Sequence, residues 1–266
     1  MLVTRVLTAA ALLAAFLAAL LLLDRAAFAA VAAAIVALGA YEWSRLAALK
    51  RVLAAGFAAV CVLFLGLFLS LPAPALATIL WGAALFWILA VPWWLAGGVT
   101  SKARLWLLAA GVAALVPAGL AMAATPPRLL LITLGLVWIA DTAAYLVGSA
   151  FGRHKLAPSI SPGKTWEGAG GATLAGLIYA IICATLDPVL EARVQGAVWV
   201  PYLAGTMLLC VAGIVGDLFE SALKRQAGAK DSGMLLPGHG GVLDRIDSAS
   251  ATLPLALLLM QAIGAT

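Results

Sequence analysis

Runs of about 20 apolar residues recur along this chain, separated by links too short to form domains. A run of that length crosses a bilayer as one helix, because a helix satisfies each backbone N–H and C=O within its own segment. Nine runs fit, at roughly 6–23, 26–43, 52–71, 76–95, 105–124, 129–151, 170–186, 198–219 and 251–266, the last being the shortest. The runs are continuous, whereas the strands of a membrane barrel alternate apolar and polar residues over about ten positions. The fold class is therefore all-α, a polytopic integral membrane bundle of about nine transmembrane helices. Composition agrees: 65% of residues are hydrophobic and 10% charged, which leaves a soluble domain no surface to show to water. Asp24-Arg25, Pro72-Ala73-Pro74 and Thr125-Pro126-Pro127-Arg128 read as turns between spans.

Alternating the spans places 13 of the 16 Lys and Arg residues on one side and 3 on the other, which makes the basic side cytoplasmic. The same bias explains a pI near 9.4 without a nucleic-acid partner. Two polar loops, about 152–169 and 220–250, share the basic face. Ala27-Phe28-Ala29 resembles a cleavage site, but it follows Asp24-Arg25 and a long apolar run, so the first span is expected to stay. Cys61, Cys183 and Cys210 sit in apolar runs and read as small buried hydrophobes. Residues 1–128 hold about five spans with almost no intramembrane charge and read as a scaffold, dimer or lipid-facing region. Residues 129–266 hold the chemistry.

An acidic side chain inside a span is costly unless it has a partner and a use. On a continued eighth helix, Asp217, Glu220, Ser221 and Lys224 share one face. An ion pair to Lys224 is the plain account of the two acids. Asp244-Arg245-Ile246-Asp247 follows three glycines within the four residues Gly238–Gly241. Asp247 there is either a helix cap or a member of a site. Carboxylates converging at a membrane face repel one another, and oxygen ligands without paired His or clustered Cys favour Mg²⁺ over Zn²⁺. Lys224, Arg225, Lys230 and Arg245 suit phosphate oxygens. Carboxylate-held Mg²⁺ beside a basic cluster is the apparatus of phosphoryl or nucleotidyl transfer. Attraction to anionic lipid accounts for the Lys and Arg residues, but not for the interleaved Asp and Gly.

The other loop, Ser159–Gly168, contains Gly163-Lys164-Thr165. It is not a Walker loop, because Pro158 stands where the first glycine is required and no strand is expected before it. Ser161, Lys164 and Thr165 remain candidates for phosphate, with Thr165 equally a helix cap. Glu167 is either a metal ligand or a cap. Asp141, Tyr145 and Gly148 share a face of the sixth span, with Asp141 about 10 Å into the membrane. Asp141 either reaches the metal site through a polar cavity or pairs with Tyr145 or a Lys. His239, flanked by glycines, reads as an exposed loop residue, with a general base as the alternative. Ala172 and Gly176 permit close helix packing along such a cavity.

From Ser221 to Asp247 the sequence resembles the signature of the phosphatidate cytidylyltransferase (CDP-diacylglycerol synthase) family. The matching positions are Ser221, Leu223, Lys224, Arg225, Lys230, Asp231, Gly233, Leu236, Pro237, His239, Gly240, Gly241, Val242, Asp244, Arg245, Ile246 and Asp247. Gly216-Asp217-Leu218, Glu220-Ser221, the Ser161–Gly168 loop and Asp141-Thr142 are similar to the family as well. The resemblance implies a Mg²⁺-dependent enzyme of the bacterial inner membrane, dimeric, with its site facing the cytoplasm. It implies that CTP and phosphatidic acid, presented by membrane lipids, yield CDP-diacylglycerol and pyrophosphate. It puts metal on Asp217 and Asp244, with K⁺ as a second ion. Lys224, Arg225 and Arg245 then neutralise phosphates, and Ser161, Lys164, Thr165, Ser221, Lys230, His239, Gly240 and Gly241 bind substrate. Gly240 and Gly241 let backbone N–H groups approach the triphosphate. Asp141, Glu167, Glu220, Asp231 and Asp247 are supporting candidates. The rival reading is an ion-coupled transporter that uses Asp141 and Asp217, and the lack of a visible internal repeat weighs against it.

Overall fold

A computed structural model describes residues 2–97, 104–235 and 240–266. The chain forms α1 (Leu2–Leu22), α2 (Arg25–Leu46), α3 (Arg51–Leu69), α4 (Ala73–Leu85), a π-helical turn (Phe86–Ala90), α5 (Val91–Ala96), α6 (Arg104–Ala124) and α7 (Pro127–Phe151). It continues as β1 (Lys155–Ala157), β2 (Ser161–Thr165), α8 (Trp166–Leu186), α9 (Pro188–Arg193), a 3₁₀ turn (Gly196–Val198), α10 (Trp199–Gln226) and α11 (Leu243–Ala262). Among the described residues, seven helical segments are long and apolar enough to cross a membrane, with Ala73–Ala96 counted as one. Leu7–Leu22 adds a shorter apolar helix. Every apolar run of the sequence passes through a helix.

Local chemistry sets the boundaries. Asp24 caps α2 through the Ala27 N–H at 2.8 Å. Asp187 caps α9 by accepting from Val189 and Leu190. Prolines occupy the first turns of α4, α7 and α9, where no N–H is required.

Three boundaries differ from the sequence reading. The 152–169 loop folds into an antiparallel hairpin with Lys155 opposite Thr165 and Ala157 opposite Ser161, so a strand does precede Gly163. The displaced glycine still excludes a Walker loop. The 220–250 loop is shorter, because α10 runs on to Gln226 and α11 begins at Leu243. The last span therefore starts earlier than residue 251 and has 20 residues, with Asp244 in its first turn.

The core centres on α11, which packs against α10, α6, α4, α7 and α2. Its stretch Ser248–Leu257 is buried throughout. Gly216 of α10 makes the approach possible, since a Cβ there would meet the Asp247 carbonyl oxygen at 2.6 Å. On α8, Ala172 and Gly176 are both buried against the core, as the small-residue reading expects. Consecutive spans alternate in direction, so the ends of α2, α7 and α10 come together with the starts of α8 and α11 on the basic side.

Candidate functional site

The hairpin, α7, α8, α10 and α11 enclose a cavity of about 460 Å³ on that side. Each element supplies a polar group or a small residue. Asp141 comes from α7, Ser161, Lys164 and Thr165 from β2, Asp217 from α10, and Asp244 and Asp247 from α11. Gly168 and Ala169 of α8 line it without filling it.

Two lysines organise the carboxylates. Lys164 Nζ lies 2.5 Å from Asp217 Oδ2, and Ser221 donates to Asp217 Oδ1 at 3.3 Å. Lys224 Nζ sits between Glu220 Oε2 at 2.5 Å and Asp244 Oδ1 at 2.7 Å. Asp244 Oδ2 also accepts from the backbone N–H of Ser232 and of Gly241, at 3.0 and 2.8 Å. Asp141 accepts from Ser248 Oγ at 3.3 Å. Asp247 accepts from the Ser248 N–H at 2.8 Å.

Among the described residues four carboxylates thus line one cavity, with Lys164 the cationic side chain on its wall. A carboxylate oxygen accepts about two bonds. Among the described residues, Asp217 Oδ1, Asp217 Oδ2 and Asp244 Oδ1 each have one side-chain partner, which leaves acceptor capacity on each. Surplus negative charge on oxygen donors fits a hard divalent cation. Among the described residues no three Asp, Glu, His or Cys side chains are already grouped as a metal cage, so the fit is one of donor type and charge.

The sequence-derived candidates separate into groups. Asp141, Ser161, Lys164, Thr165, Asp217, Asp244 and Asp247 meet at the cavity. Thr165 is also the cap of α8, accepting from the Gly168 N–H at 3.1 Å. Ser221 and Lys224 stand behind this wall as partners of its carboxylates, and Glu220 stands behind it as a partner of Lys224. Glu167 is not on the wall; it accepts from His154 Nδ1 at 2.7 Å and braces the hairpin. Arg225 is exposed and donates to the Ile160 carbonyl at 3.4 Å, tying α10 to the hairpin turn. Lys230, Asp231 and Arg245 are exposed outside the cavity wall. His239 lies outside the described residues.

The two glycines play different parts. Gly240 has φ +81°, a conformation that glycine alone adopts cheaply. The N–H of Gly241 points to Asp244 and so is taken by the protein's own carboxylate. The sequence reading also missed Glu42, Ser232 and Ser248. Glu42 of α2 is 2% exposed and reaches Ser232, Val242 and Leu243. An acidic residue beside Trp43 and Arg45, at the basic end of an apolar span, was the signal available. The first half of the chain therefore does bring buried charge to this end of the molecule.

Comparison with known proteins shows the family. A family model described as the cytidylyltransferase family matches residues 3–263. A protein named phosphatidate cytidylyltransferase from Pseudomonas aeruginosa is 41% identical over 99% of this chain and 98% of its own. One of the same name from Haemophilus influenzae is 37% identical over 96% of each chain. A third, from Brucella suis, is 49% identical over 46% of this chain and 43% of its own.

Proposed function

The chain belongs to the cytidylyltransferase family, and we propose that it transfers CMP from CTP to phosphatidic acid, giving CDP-diacylglycerol and pyrophosphate. The observation that carries this reading is the cavity where Asp141, Lys164, Asp217, Asp244 and Asp247 converge among the ends of apolar helices. A lipid phosphate enters from the bilayer side of such a site, and a water-soluble nucleotide enters from the aqueous side.

An oxygen of the phosphatidate phosphate attacks the α-phosphorus of CTP. The bond from the α-phosphorus to the bridging oxygen breaks, and that oxygen leaves with pyrophosphate. The attacking phosphate monoester has a second pKa of about 6, so it is anionic near neutrality and needs no strong general base. Lys164 is placed to neutralise phosphate charge, and Ser161 offers a hydroxyl from the same strand. Arg225 and Arg245 lie outside the cavity wall and suit the distal phosphates or the lipid surface. Lys224 is enclosed by Glu220 and Asp244, so it orients Asp244 more directly than it binds substrate.

Asp217 and Asp244 would hold Mg²⁺, with Asp141 and Asp247 adding negative charge nearby. Bound there, Mg²⁺ supplies charge neutralisation for the triphosphate and the departing pyrophosphate. The role of K⁺ as a second ion and the homodimer are proposals carried by the family resemblance. The site is proposed to face the cytoplasm from the inner membrane, which the 13-to-3 distribution of Lys and Arg supports.

The test is conversion by the purified protein in detergent, with labelled CTP, phosphatidic acid, Mg²⁺ and K⁺, beside Asp244→Ala. CDP-diacylglycerol that requires both substrates and is lost in the variant supports the reading. No product from folded protein across several phosphatidates overturns it. Ion flux into sealed vesicles is then the assay for the transporter reading.

A further inference from the structure

Glu42 is a buried carboxylate that the reaction does not use directly. It lies on α2, while among the described residues those lining the cavity come from position 141 onward. Among the described residues its partners are neutral donors. Ser232 Oγ is at 3.0 Å, the Val242 N–H at 3.1 Å and the Leu243 N–H at 2.8 Å. Val242 and Leu243 open α11, whose N-cap has no side-chain hydrogen bond of its own. The first N–H groups of a helix have no intrahelical acceptor and form the positive end of its dipole. Glu42 therefore caps α11 from another helix.

The contact reaches the site. Asp244 is the second residue of α11, and its Oδ2 lies 3.0 Å from the same Ser232 hydroxyl. Ser232 has one hydroxyl hydrogen, so the two carboxylates share it. Space has been left for this on both sides. A Cβ on either Gly233 or Gly241 would collide with the Glu42 carboxylate. Trp43, next to Glu42, is anchored by donating to the Leu107 carbonyl at 2.7 Å, which fixes this end of α2.

We infer that Glu42 is a positioning residue: through the N-terminus of α11 and Ser232 it sets Asp244 against Lys224. The kinetic part of this inference rests on the cytidylyltransferase reading. Glu42→Gln keeps size and shape but removes the charge and half of the acceptor capacity. The expected result is a roughly tenfold or greater fall in kcat, with KM for CTP within about twofold. Hydrogen exchange of peptides covering 229–247 is expected to accelerate, with α6 unchanged. Ser232→Ala removes the shared hydroxyl without touching the helix core, and should move both readouts the same way by less.

A packing role alone predicts a Gln variant like wild type. Unchanged exchange over 229–247 overturns the inference, as does loss of protection spread evenly over α2, α6 and α11. Faster exchange with unchanged kcat overturns it too, because Asp244 is then not what Glu42 sets. If the wild-type protein makes no CDP-diacylglycerol, the reading of the reaction falls, and exchange alone decides whether Glu42 holds the segment.

Discussion

Lys164 Nζ and Asp217 Oδ2 lie 2.5 Å apart, joining the hairpin to α10 across the cavity. Their side chains are 22% and 31% exposed, so the pair is partly screened and holds little of the fold together. Its position on the cavity wall gives it a different importance. Lys164→Met should cost less than about 1 kcal/mol in stability. The same change should lower kcat/KM for CTP by about 100-fold, the loss of about two charge-assisted contacts to phosphate. Thermal unfolding and initial rates on one preparation separate the two effects. Equal losses in both would make Lys164 a structural residue.

Lys224 presents the opposite balance. Its side chain is 13% exposed, and those of Glu220 and Asp244 are 2% and 6%. Removing one member of a buried charge cluster leaves the others uncompensated, at a cost of about 3–5 kcal/mol. Lys224→Met should show that cost in denaturant titration. Adding Glu220→Leu should recover part of it, because one uncompensated carboxylate is removed. Asp244 keeps its donors from Ser232 and Gly241 in both variants. Lack of any recovery in the double variant would show that Glu220 is not charged beside Lys224.

Much of this site was legible in the sequence because charge inside an apolar span is rare enough to be read singly. Asp141 and Asp217 were found that way, Asp244 and Asp247 came from the charged run after the glycines of the second loop, and the four meet at one cavity. The spans themselves were legible because their length is set by the bilayer. What escaped depended on contacts between distant segments. Glu42 meets Val242 and Leu243 across 200 and 201 positions of sequence, and no local pattern encodes that. The hairpin escaped because its strands have three and five residues, too few for alternation to show. The start of α11 escaped because a charged first turn hides a helix from a search for apolar runs.

The proposed Mg²⁺ site makes its own prediction. Chelation should abolish activity, and Mg²⁺ should restore it. Asp217→Asn removes a charged donor but keeps the shape, so it should raise the Mg²⁺ concentration needed for half-maximal rate by about tenfold or more. Asp141→Asn changes a neighbouring charge and should raise it less. A rate that persists after chelation would end the Mg²⁺ proposal and leave neutralisation to Lys164 and the arginines. The measurement is a Mg²⁺ titration of each variant at fixed CTP and K⁺.

Two glycines provide a controlled comparison of backbone strain with site geometry. Gly240 and Gly228 both have positive φ, +81° and +68°. A side chain in that conformation costs about 1–2 kcal/mol at either position. Their surroundings differ. A Cβ on Gly240 would meet Asp244 Oδ2 at 2.6 Å, while one on Gly228 would meet nothing within 4 Å. Gly228→Ala should therefore lower stability by about the backbone cost alone and keep its rate. Gly240→Ala should lose the same stability and also at least about tenfold in kcat, because Asp244 must turn away from Lys224 and the Gly241 N–H. Paired unfolding and rate measurements decide the matter. Two variants with the same rate would mean that the segment before α11 can shift without moving Asp244, and that the contacts from Lys224 and Gly241 are enough to hold the carboxylate in place.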